Sequence, residues 1–344
     1  GCTGFAHEEG LIGAGDDRSV RRAMAGSDMD EPVSTVLGAI HGVAADASLG
    51  RRLQALWRLF GDRTLMERYS HAMCDTSARL AELLGAGPRI VTPLRALCGR
   101  WDGRGLPAPL RGEALPRPIR LQHIGHVIEI AHHRGGRAAA LALGKRGAGR
   151  HFDPRLIKVV VKEQETLFGA IEDPNIFDRY LRIERQPTWA DERRIDDVAR
   201  VLAMFVDLKT PTFLGHSTGV AALAERAAVH LDIPADERAA LRRAALLHHL
   251  GRLSVPNGIW TRPGPLAWQE WERVRLHSYY TERVLGPLAG LGRVAEIAAT
   301  AHERIDGSGY FHYRSGEPLP RLARLLAGAD AGFAVGVGRP YRPA

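Results

Sequence analysis

The sequence contains little cysteine, and this shortage limits the kinds of protein it can encode. Cysteine occurs three times in 344 residues, at Cys2, Cys74 and Cys98, and no two of them form a CxxC pair. Three thiols at these spacings exclude a disulfide scaffold and a zinc ribbon. Such usage is typical of a reducing cytoplasm, which is the location that we expect.

Long apolar runs are also missing, although 45% of the residues are hydrophobic. No stretch of about 18 consecutive apolar residues occurs, so the sequence predicts no membrane span. The composition is that of an ordinary globular protein. The length predicts two domains, each long enough to bury a core of its own.

Lysine accounts for only four of the 47 basic residues, and the others are arginines scattered along the chain. A net charge of +8 would suit an anionic partner, such as a nucleotide phosphate. The abundance of alanine and glycine beside arginine indicates a general compositional bias instead. We favour the compositional bias and keep a functional basic surface as the alternative.

An internal repeat appears when the chain is shifted by 204 positions. Residues 100–121 read RWDGRGLPAPLRGEALPRPIRL, and residues 304–325 read RIDGSGYFHYRSGEPLPRLARL, without a gap. Identical positions in the later segment include Asp306, Gly307, Gly309, Gly316, Glu317, Leu319, Pro320, Arg321, Arg324 and Leu325. Chance explains this agreement poorly, so we predict two related domains in tandem. The first copy spans residues 1–165, a linker spans 166–195, and the second copy spans 196–344.

Apolar residues recur at helical spacing through the second copy. The periodicity predicts helices over 196–207, from Gly215-His216 onward, and over 236–250, 268–285, 294–302 and 319–333. Gly251 is expected to end the third of these helices in the left-handed conformation. Strand signals are nearly absent. We therefore predict an all-α helical bundle with loops at 255–266 and 306–318.

Five histidines and one aspartate lie on these helices or directly after them. They are His216, His248, His249, His277, His302 and Asp330. Ligands from successive helices can converge in the core of a bundle, and imidazole with carboxylate suits zinc, iron, manganese or nickel. A lone helical histidine is usually a surface or core residue. A carboxylate inside the apolar run 325–335 is harder to explain, because burying it without a partner is costly.

The segments around these residues resemble the HD-GYP family of metal-dependent phosphohydrolases. Residues 245–266 read ALLHHLGRLSVPNGIWTRPGPL, residues 302–311 read HERIDGSGYF, and GAD at 328–330 and RPYR at 339–342 follow. The family pattern is a His-Asp pair, then His-His-Glu-x-x-Asp-Gly-x-Gly-Tyr-Pro, then Ala-Asp and Arg-Pro-Tyr-Arg. Order, spacing and flanking residues agree. The resemblance implies an HD-domain-like helical bundle.

The resemblance also implies a centre of two or three divalent transition metals that hydrolyses cyclic di-GMP or a related phosphate ester. Iron or manganese is the expected metal, and zinc or nickel is the alternative. The matching ligand positions are His216, His248, His277, His302 and Asp330, with His249 as a substitute terminal ligand. Arg252 stands where the family has a lysine near the scissile phosphate, so we assign it a catalytic role. Tyr310 and Arg339 match substrate-contacting positions, and Glu303 and Asp306 are expected to shape their loop.

Two departures from the family fall at the metal site itself. The aspartate of the His-Asp pair is His249, and the first histidine of the His-His pair is Ala301. In the family that aspartate bridges metals, and Ala301 removes a donor. Thr212 and Phe311 are further departures. We therefore predict at most one tightly bound metal and slow hydrolysis.

The first copy departs further from the family. At the offset of 204, Met73, Cys98 and His126 stand at positions of candidate ligands, so we expect no metal site there. Compared with the family, both ends of the sequence look incomplete. Similar tandem proteins often continue into a helix-turn-helix domain of the LuxR type, and we expect contact with DNA only through such an absent C-terminal domain.

Two functions therefore compete. One is a cyclic dinucleotide phosphodiesterase with an impaired or altered metal site. The other is a catalytically silent sensory or regulatory module within a transcriptional regulator. In both, the expected partner is a cyclic dinucleotide or another phosphate ester, no membrane is involved, and a homodimer is left open.

Overall fold

The structure is a computed structural model that describes residues 64–106, 110–183, 191–314 and 319–336, together with the isolated positions 50, 53 and 57. Within these ranges the secondary structure is helical, with no strand and one isolated bridge between Ala148 and Phe152. The predicted all-α class is therefore confirmed. None of the helices in the described ranges is both long and apolar enough to cross a bilayer.

The chain forms two compact units that divide between Asp191 and Glu192. In the first unit the described helices are α1 (Leu65–Leu83), α2 (Pro88–Leu94), α3 (Arg117–Gly147), α4 (Pro154–Lys162), α5 (Gln164–Ile171) and α6 (Ile176–Ile183). Helix α3 is broken at Gly135 and Gly136, whose backbone angles are not helical. Gly136 has a φ of 72°, a conformation that glycine adopts readily because it has no Cβ.

The second unit contains the candidate site. Its described helices are α7 (Glu192–Asp207), α8 (His216–His230), α9 (Ala235–Leu247), α10 (Asn257–Thr261), α11 (Trp268–Leu285), α12 (Gly292–Ala299) and α13 (Arg321–Val335). Short 3₁₀ turns lie at Pro211–Phe213 and Leu250–Ser254. The longer helices agree with those that the apolar periodicity predicts.

The core of the second unit is rich in alanine. Ala224, Ala244 and Ala298 are completely buried, together with the larger Leu241 and Leu326. These residues belong to one apolar cluster formed by helices α7, α8, α9, α12 and α13. Small side chains let the helices approach closely, and each buried leucine contributes about 1.5–3 kcal/mol. The close packing brings the ends of these helices near one another.

The prediction that Gly251 ends a helix in the left-handed conformation is wrong. Helix α9 ends at Leu247, and Gly251 lies inside the following 3₁₀ turn without a positive φ. A Cβ at Gly251 would lie 1.9 Å from the carbonyl oxygen of His277. The backbone N–H of Gly251 also donates to the hydroxyl of Thr281 at 2.9 Å. The glycine is therefore required because this turn lies directly against helix α11.

The two segments of the internal repeat share a local backbone geometry. Gly103 and Gly307 have φ values of 80° and 75°, and each donates its N–H to the carbonyl three residues earlier, at 3.1 and 3.0 Å. The carboxylates of Asp102 and Asp306 each accept the N–H two residues later, at 3.0 Å. Helices α3 and α13 begin at positions separated by the same offset of 204. That the two units are tandem copies of one domain stays a prediction. The boundaries given for the two copies also stay a prediction.

Candidate metal centre

The predicted metal ligands lie on five elements of the second unit. His216 is the first residue of α8, His248 and His249 directly follow α9, His277 lies within α11, His302 follows α12, and Asp330 lies within α13. The side chains of the first four histidines are buried, and those of His302 and Asp330 are 15% exposed. The candidate ligands therefore lie within these helices or just beyond their ends, on the interior side of the bundle.

The structure brings all six side chains together in two overlapping groups. One group consists of His216, His248, His249 and Asp330, and the other consists of His249, His277 and His302. Within each group the possible ligand atoms lie within 4.8 Å of one another. His249 belongs to both groups. Among the residues that the structure describes, no other set of three or more histidine, cysteine or acidic side chains is placed to hold a metal.

Asp330 supplies the one carboxylate of the two groups. Its Oδ1 atom lies 2.9 Å from Nε2 of His216 and 3.6 Å from Nε2 of His248. Its Oδ2 atom lies 3.9 Å from Nδ1 of His302. Burial would raise the pKa of Asp330, but the hydrogen bond from His216 and the nearby imidazoles of His248 and His302 hold that pKa well below its usual range. The carboxylate is therefore ionised and able to bind a cation.

Backbone carbonyls fix the protonation of two of the imidazoles. Nδ1 of His248 lies 2.7 Å from the carbonyl oxygen of Ala245, and Nδ1 of His277 lies 2.5 Å from that of Val274. A carbonyl oxygen can only accept, so each Nδ1 must carry the proton and donate it. Each Nε2 then presents a lone pair. Such a second contact typically orients histidines that bind metals.

Several buried ring nitrogens have no hydrogen-bond partner. They are Nδ1 of His216, Nε2 of His248, Nδ1 of His249, Nε2 of His277 and Nε2 of His302. A buried polar atom without a partner is costly, and native proteins rarely leave several of them together. A divalent cation among these atoms would satisfy those that carry lone pairs, such as Nε2 of His248 and Nε2 of His277. The donor set therefore fits a transition metal.

The electrostatic environment keeps four of the imidazoles neutral. Burial lowers the pKa of His216 and of His302 to about 4. Burial also lowers the pKa of His249 and of His277 well below the ordinary value, and the nearby charge of Arg252 acts in the same direction. Neutral imidazole is the form that ligates metals.

Arg252 lies inside the site. Its Nη2 atom is 2.6 Å from Nε2 of His249, and its side chain is buried. Its guanidinium carbon lies 4.2 Å from the ring centre of Phe213 and 5.4 Å from that of Trp260. The guanidinium is thus held between two aromatic rings and one imidazole. A catalytic role for Arg252 stays a prediction.

Tyr310 lies against the second group of histidines. Its ring stacks on His302 with a centroid distance of 5.1 Å and meets His277 edge-on at 6.0 Å. Burial raises the pKa of the Tyr310 hydroxyl, so it stays protonated. The other residue predicted to contact substrate, Arg339, lies outside the described residues.

The loop before α13 is shaped by its own carboxylates. Glu303 accepts the backbone N–H groups of His312 and Arg314 at 2.7 and 3.2 Å. Asp306 accepts the N–H and the hydroxyl of Ser308 at 3.0 and 2.7 Å. Both carboxylates are therefore used to build the loop rather than to bind a cation in either group.

Sequence reasoning did not identify three residues that lie near the site. Asp207 at the end of α7 accepts the N–H and hydroxyl of Ser217 at 2.9 and 2.7 Å, which fixes the start of α8 next to His216. Its position at the end of an apolar helix was a usable signal. Phe213 and Trp260, which flank the guanidinium described above, lie in the 3₁₀ turn Pro211–Phe213 and in helix α10, and no spacing in the sequence connects them.

Comparison with protein families identifies this region. Residues 200–344 match the family described as HD domain. This match agrees with the resemblance seen in the sequence.

Curated relatives are cyclic dinucleotide phosphodiesterases. The 3'3'-cGAMP-specific phosphodiesterase 3 of Vibrio cholerae is 31% identical over 277 residues, which cover 79% of this chain and 60% of that protein. The cyclic di-GMP phosphodiesterase of Thermotoga maritima is 31% identical over 150 residues, which cover 42% of this chain and 39% of that protein. The chain thus spans less than two thirds of the length of each of these relatives.

A solved structure shares the fold. The crystal structure of a cyclic GMP-AMP specific phosphodiesterase of Vibrio cholerae, V-cGAP3, matches with a TM-score of 0.59. The match covers 94% of this chain and 87% of that one at 23% identity. At this identity the likeness shows the fold alone.

Proposed function

We propose that the second unit is a metal-dependent phosphodiesterase that hydrolyses cyclic dinucleotides. The observation that carries the proposal is the set of five buried ring nitrogens without partners around the ionised carboxylate of Asp330. Such an arrangement is costly in a protein that binds no cation there. The names of the curated relatives support the substrate class, 3'3'-cGAMP or cyclic di-GMP.

The metal-holding residues in this proposal are His216, His248, His277, His302 and Asp330, with His249 as a further candidate. Imidazole with carboxylate suits iron, manganese, zinc or nickel, and the family resemblance favours iron or manganese. When bound, such a metal polarises a phosphoryl oxygen and lowers the pKa of a coordinated water.

Other side chains of the site are suited to hold the substrate. The protonated hydroxyl of Tyr310 can donate a hydrogen bond to a phosphate oxygen. Its ring, stacked on His302, would hold that hydroxyl at the edge of the metal site. Arg252 supplies a fixed positive charge inside the site, and Arg339 is proposed as a second guanidinium contact.

Hydrolysis is expected to be slow. Ala301 is buried beside His302 and offers no donor, and His249 replaces a carboxylate with a neutral ring. Loss of a single outer contact to a metal ligand typically costs about 10–100-fold in metal affinity or activity. Loss of a ligand and of a bridging carboxylate should cost on the order of 100-fold or more relative to an intact family member.

A silent regulatory module is the second candidate, and one observation favours it. Within the described residues, the two groups of possible ligands contain one carboxylate, so two adjacent cations would repel each other with little compensation. A module of this kind would bind a cyclic dinucleotide without cleaving it. Contact with DNA through a further domain and formation of a homodimer stay predictions.

A turnover assay separates the two candidates. The purified chain is incubated with 3'3'-cGAMP or cyclic di-GMP in the presence of Mn²⁺ or Fe²⁺, and linear products are separated by chromatography. The phosphodiesterase predicts a linear dinucleotide that is lost in Asp330→Asn and retained in Asp306→Asn, which changes a loop carboxylate outside both ligand groups. Binding of the cyclic dinucleotide without product would support the silent module.

A further inference from the structure

We propose that Arg252 withholds His249 from metal coordination, so that the site binds one divalent cation through His216, His248 and Asp330. The inference rests on the proposed metal-dependent function but concerns the number of metals, which can be measured without turnover. It assigns to Arg252 a role in selecting which ligands are used.

The hydrogen bond between Arg252 and His249 fixes the state of the imidazole. An arginine side chain has N–H donors and no acceptor. The contact of 2.6 Å between Nη2 of Arg252 and Nε2 of His249 therefore requires a lone pair on Nε2. A neutral imidazole carries one proton, which must then be on Nδ1. While this bond persists, neither nitrogen of His249 has a lone pair available for a metal.

Either mode of metal binding to His249 would disrupt this contact. A metal on Nε2 would replace the Arg252 N–H directly. A metal on Nδ1 would move the ring proton to Nε2, where two N–H groups would face each other. Metal and guanidinium therefore compete for the same imidazole.

The surroundings of Arg252 favour the guanidinium in this competition. Its side chain is 6% exposed and lies over the rings of Phe213 and Trp260. Stacking of a guanidinium on aromatic rings is favourable, and more so when the charge is desolvated. Moving the guanidinium away would give up both ring contacts and the bond to His249.

Without His249, the remaining donors can still form one metal site in the first group, but the second group has too few donors to bind a metal tightly. Oδ1 of Asp330 lies 2.9 and 3.6 Å from Nε2 of His216 and of His248. Donors about 2.1 Å from a shared metal lie about 3.0–3.4 Å apart, and both distances lie within a few tenths of an ångström of that range. A cation on Nε2 of His216 would take the place of the proton shared with Asp330, and that proton would move to Nδ1, which has no other partner. Two imidazoles and one carboxylate form a known set for a mononuclear centre. Without His249 the second group keeps only His277 and His302.

Metal counting on variants of the full chain tests the proposal. Metal-free protein is dialysed against Zn²⁺, and bound zinc is measured by mass spectrometry over a range of free zinc concentrations. We expect one tightly bound zinc in the unaltered chain. His249→Ala should leave the affinity of that zinc within about threefold, because His249 is not a ligand.

Removing the guanidinium of Arg252 should make the second group of histidines, His249, His277 and His302, available to a metal. Arg252→Met keeps an unbranched apolar side chain and should give a second zinc, held by three imidazoles as in known zinc sites. Its affinity should rise at least about tenfold over any second zinc in the unaltered chain. The double variant Arg252→Met with His249→Ala should return to one zinc. Arg226→Met, on the exposed surface of α8, is the matched control and should change nothing.

Two tight zinc ions in the unaltered chain, or a weakened first zinc in His249→Ala, would overturn the proposal. A second zinc that persists in the double variant would also overturn it. If Arg252→Met does not fold, the comparison of the unaltered chain with His249→Ala still decides the question. A chain that hydrolyses its substrate with two bound metals would refute this inference and leave the proposed phosphodiesterase intact.

Discussion

Single residues decide whether this site can hold a metal. Substitution of Asp330 gives the clearest test among them. Asp330→Asn keeps the shape of the side chain and removes the charge that faces His216 and His248. We expect zinc or manganese affinity to fall by on the order of 100-fold. Equilibrium dialysis measures it, and Asp306→Asn serves as the control. Unchanged affinity in Asp330→Asn would place the metal elsewhere.

Acid should destabilise the metal-free protein because its site histidines are buried and neutral. In the unfolded chain these imidazoles take up a proton as the pH falls through 6.5, whereas His216 and His302 resist protonation in the folded protein down to about 4. Their contribution to stability is therefore complete above pH 6.5 and is lost between 6.5 and 4. Urea unfolding at several pH values should show the free energy of unfolding fall by a few kcal/mol in this window. His216→Gln should flatten the fall, and an equally steep fall in that variant would contradict the explanation.

Restoring the family residues should strengthen the site. The double change His249→Asp with Ala301→His supplies a carboxylate and a donor, so metal content and turnover should rise together. Both positions are buried within the bundle, next to the other candidate ligands. Metal analysis and product chromatography on the same sample check this. A folded double variant with neither gain would favour the silent module.

Among the elements, the turn Leu250–Ser254 matters most because it sets His248 and His249 against helix α11. Gly251→Ala would place a Cβ 1.9 Å from the His277 carbonyl oxygen, so the turn must move away. Overpacking of this kind typically costs about 1–3 kcal/mol, and metal affinity should fall with it. Gly292→Ala is the matched control, since a Cβ there meets nothing within 4 Å. Thermal unfolding and metal binding measure both effects, and equal behaviour of the two variants would contradict this role of the turn.

The helices were predictable from sequence to a greater extent than the turns between them. Apolar spacing predicted helix 268–285, and α11 has those bounds. The same reasoning extended the third helix to Leu250, because the apolar pattern continues past Leu247 while the backbone tightens into a 3₁₀ turn. The cause is the packing of Gly251 on His277, a contact between residues that lie far apart in sequence. Periodicity along one helix carries no information on such contacts.

At the scale of the whole molecule, the resemblance predicted that six candidate ligands belong to one site, and the structure places them together. The position of Arg252 could not be foreseen, because it depends on rings from two separate elements, the 3₁₀ turn that ends at Phe213 and helix α10. The family pattern assigned this residue to a phosphate, whereas the fold also engages it with His249. Where a chain departs from its family, the neighbours of the changed residue decide the outcome, and those neighbours are known only in three dimensions.

The two units should respond differently to metal. Both groups of candidate ligands found among the described residues lie in the second unit. A ligand at about 100 times its Kd stabilises the folded state by about 2.7 kcal/mol. Calorimetry of the full chain should therefore show one transition that rises on addition of Zn²⁺ and one that does not. His216→Gln should abolish the rise, and a rise of both transitions would contradict a site confined to the second unit.

The most direct test of the central claim is to follow hydrolysis of 3'3'-cGAMP and cyclic di-GMP while metal is returned to the stripped protein. Bound metal and linear product are measured on the same samples. A metal-dependent phosphodiesterase with one usable site predicts product that appears with the first metal and reaches its maximum near one metal per chain, with none in Asp330→Asn. Absence of product at every metal content, despite binding of the cyclic dinucleotide, would contradict the claim and identify the domain as a silent binding module.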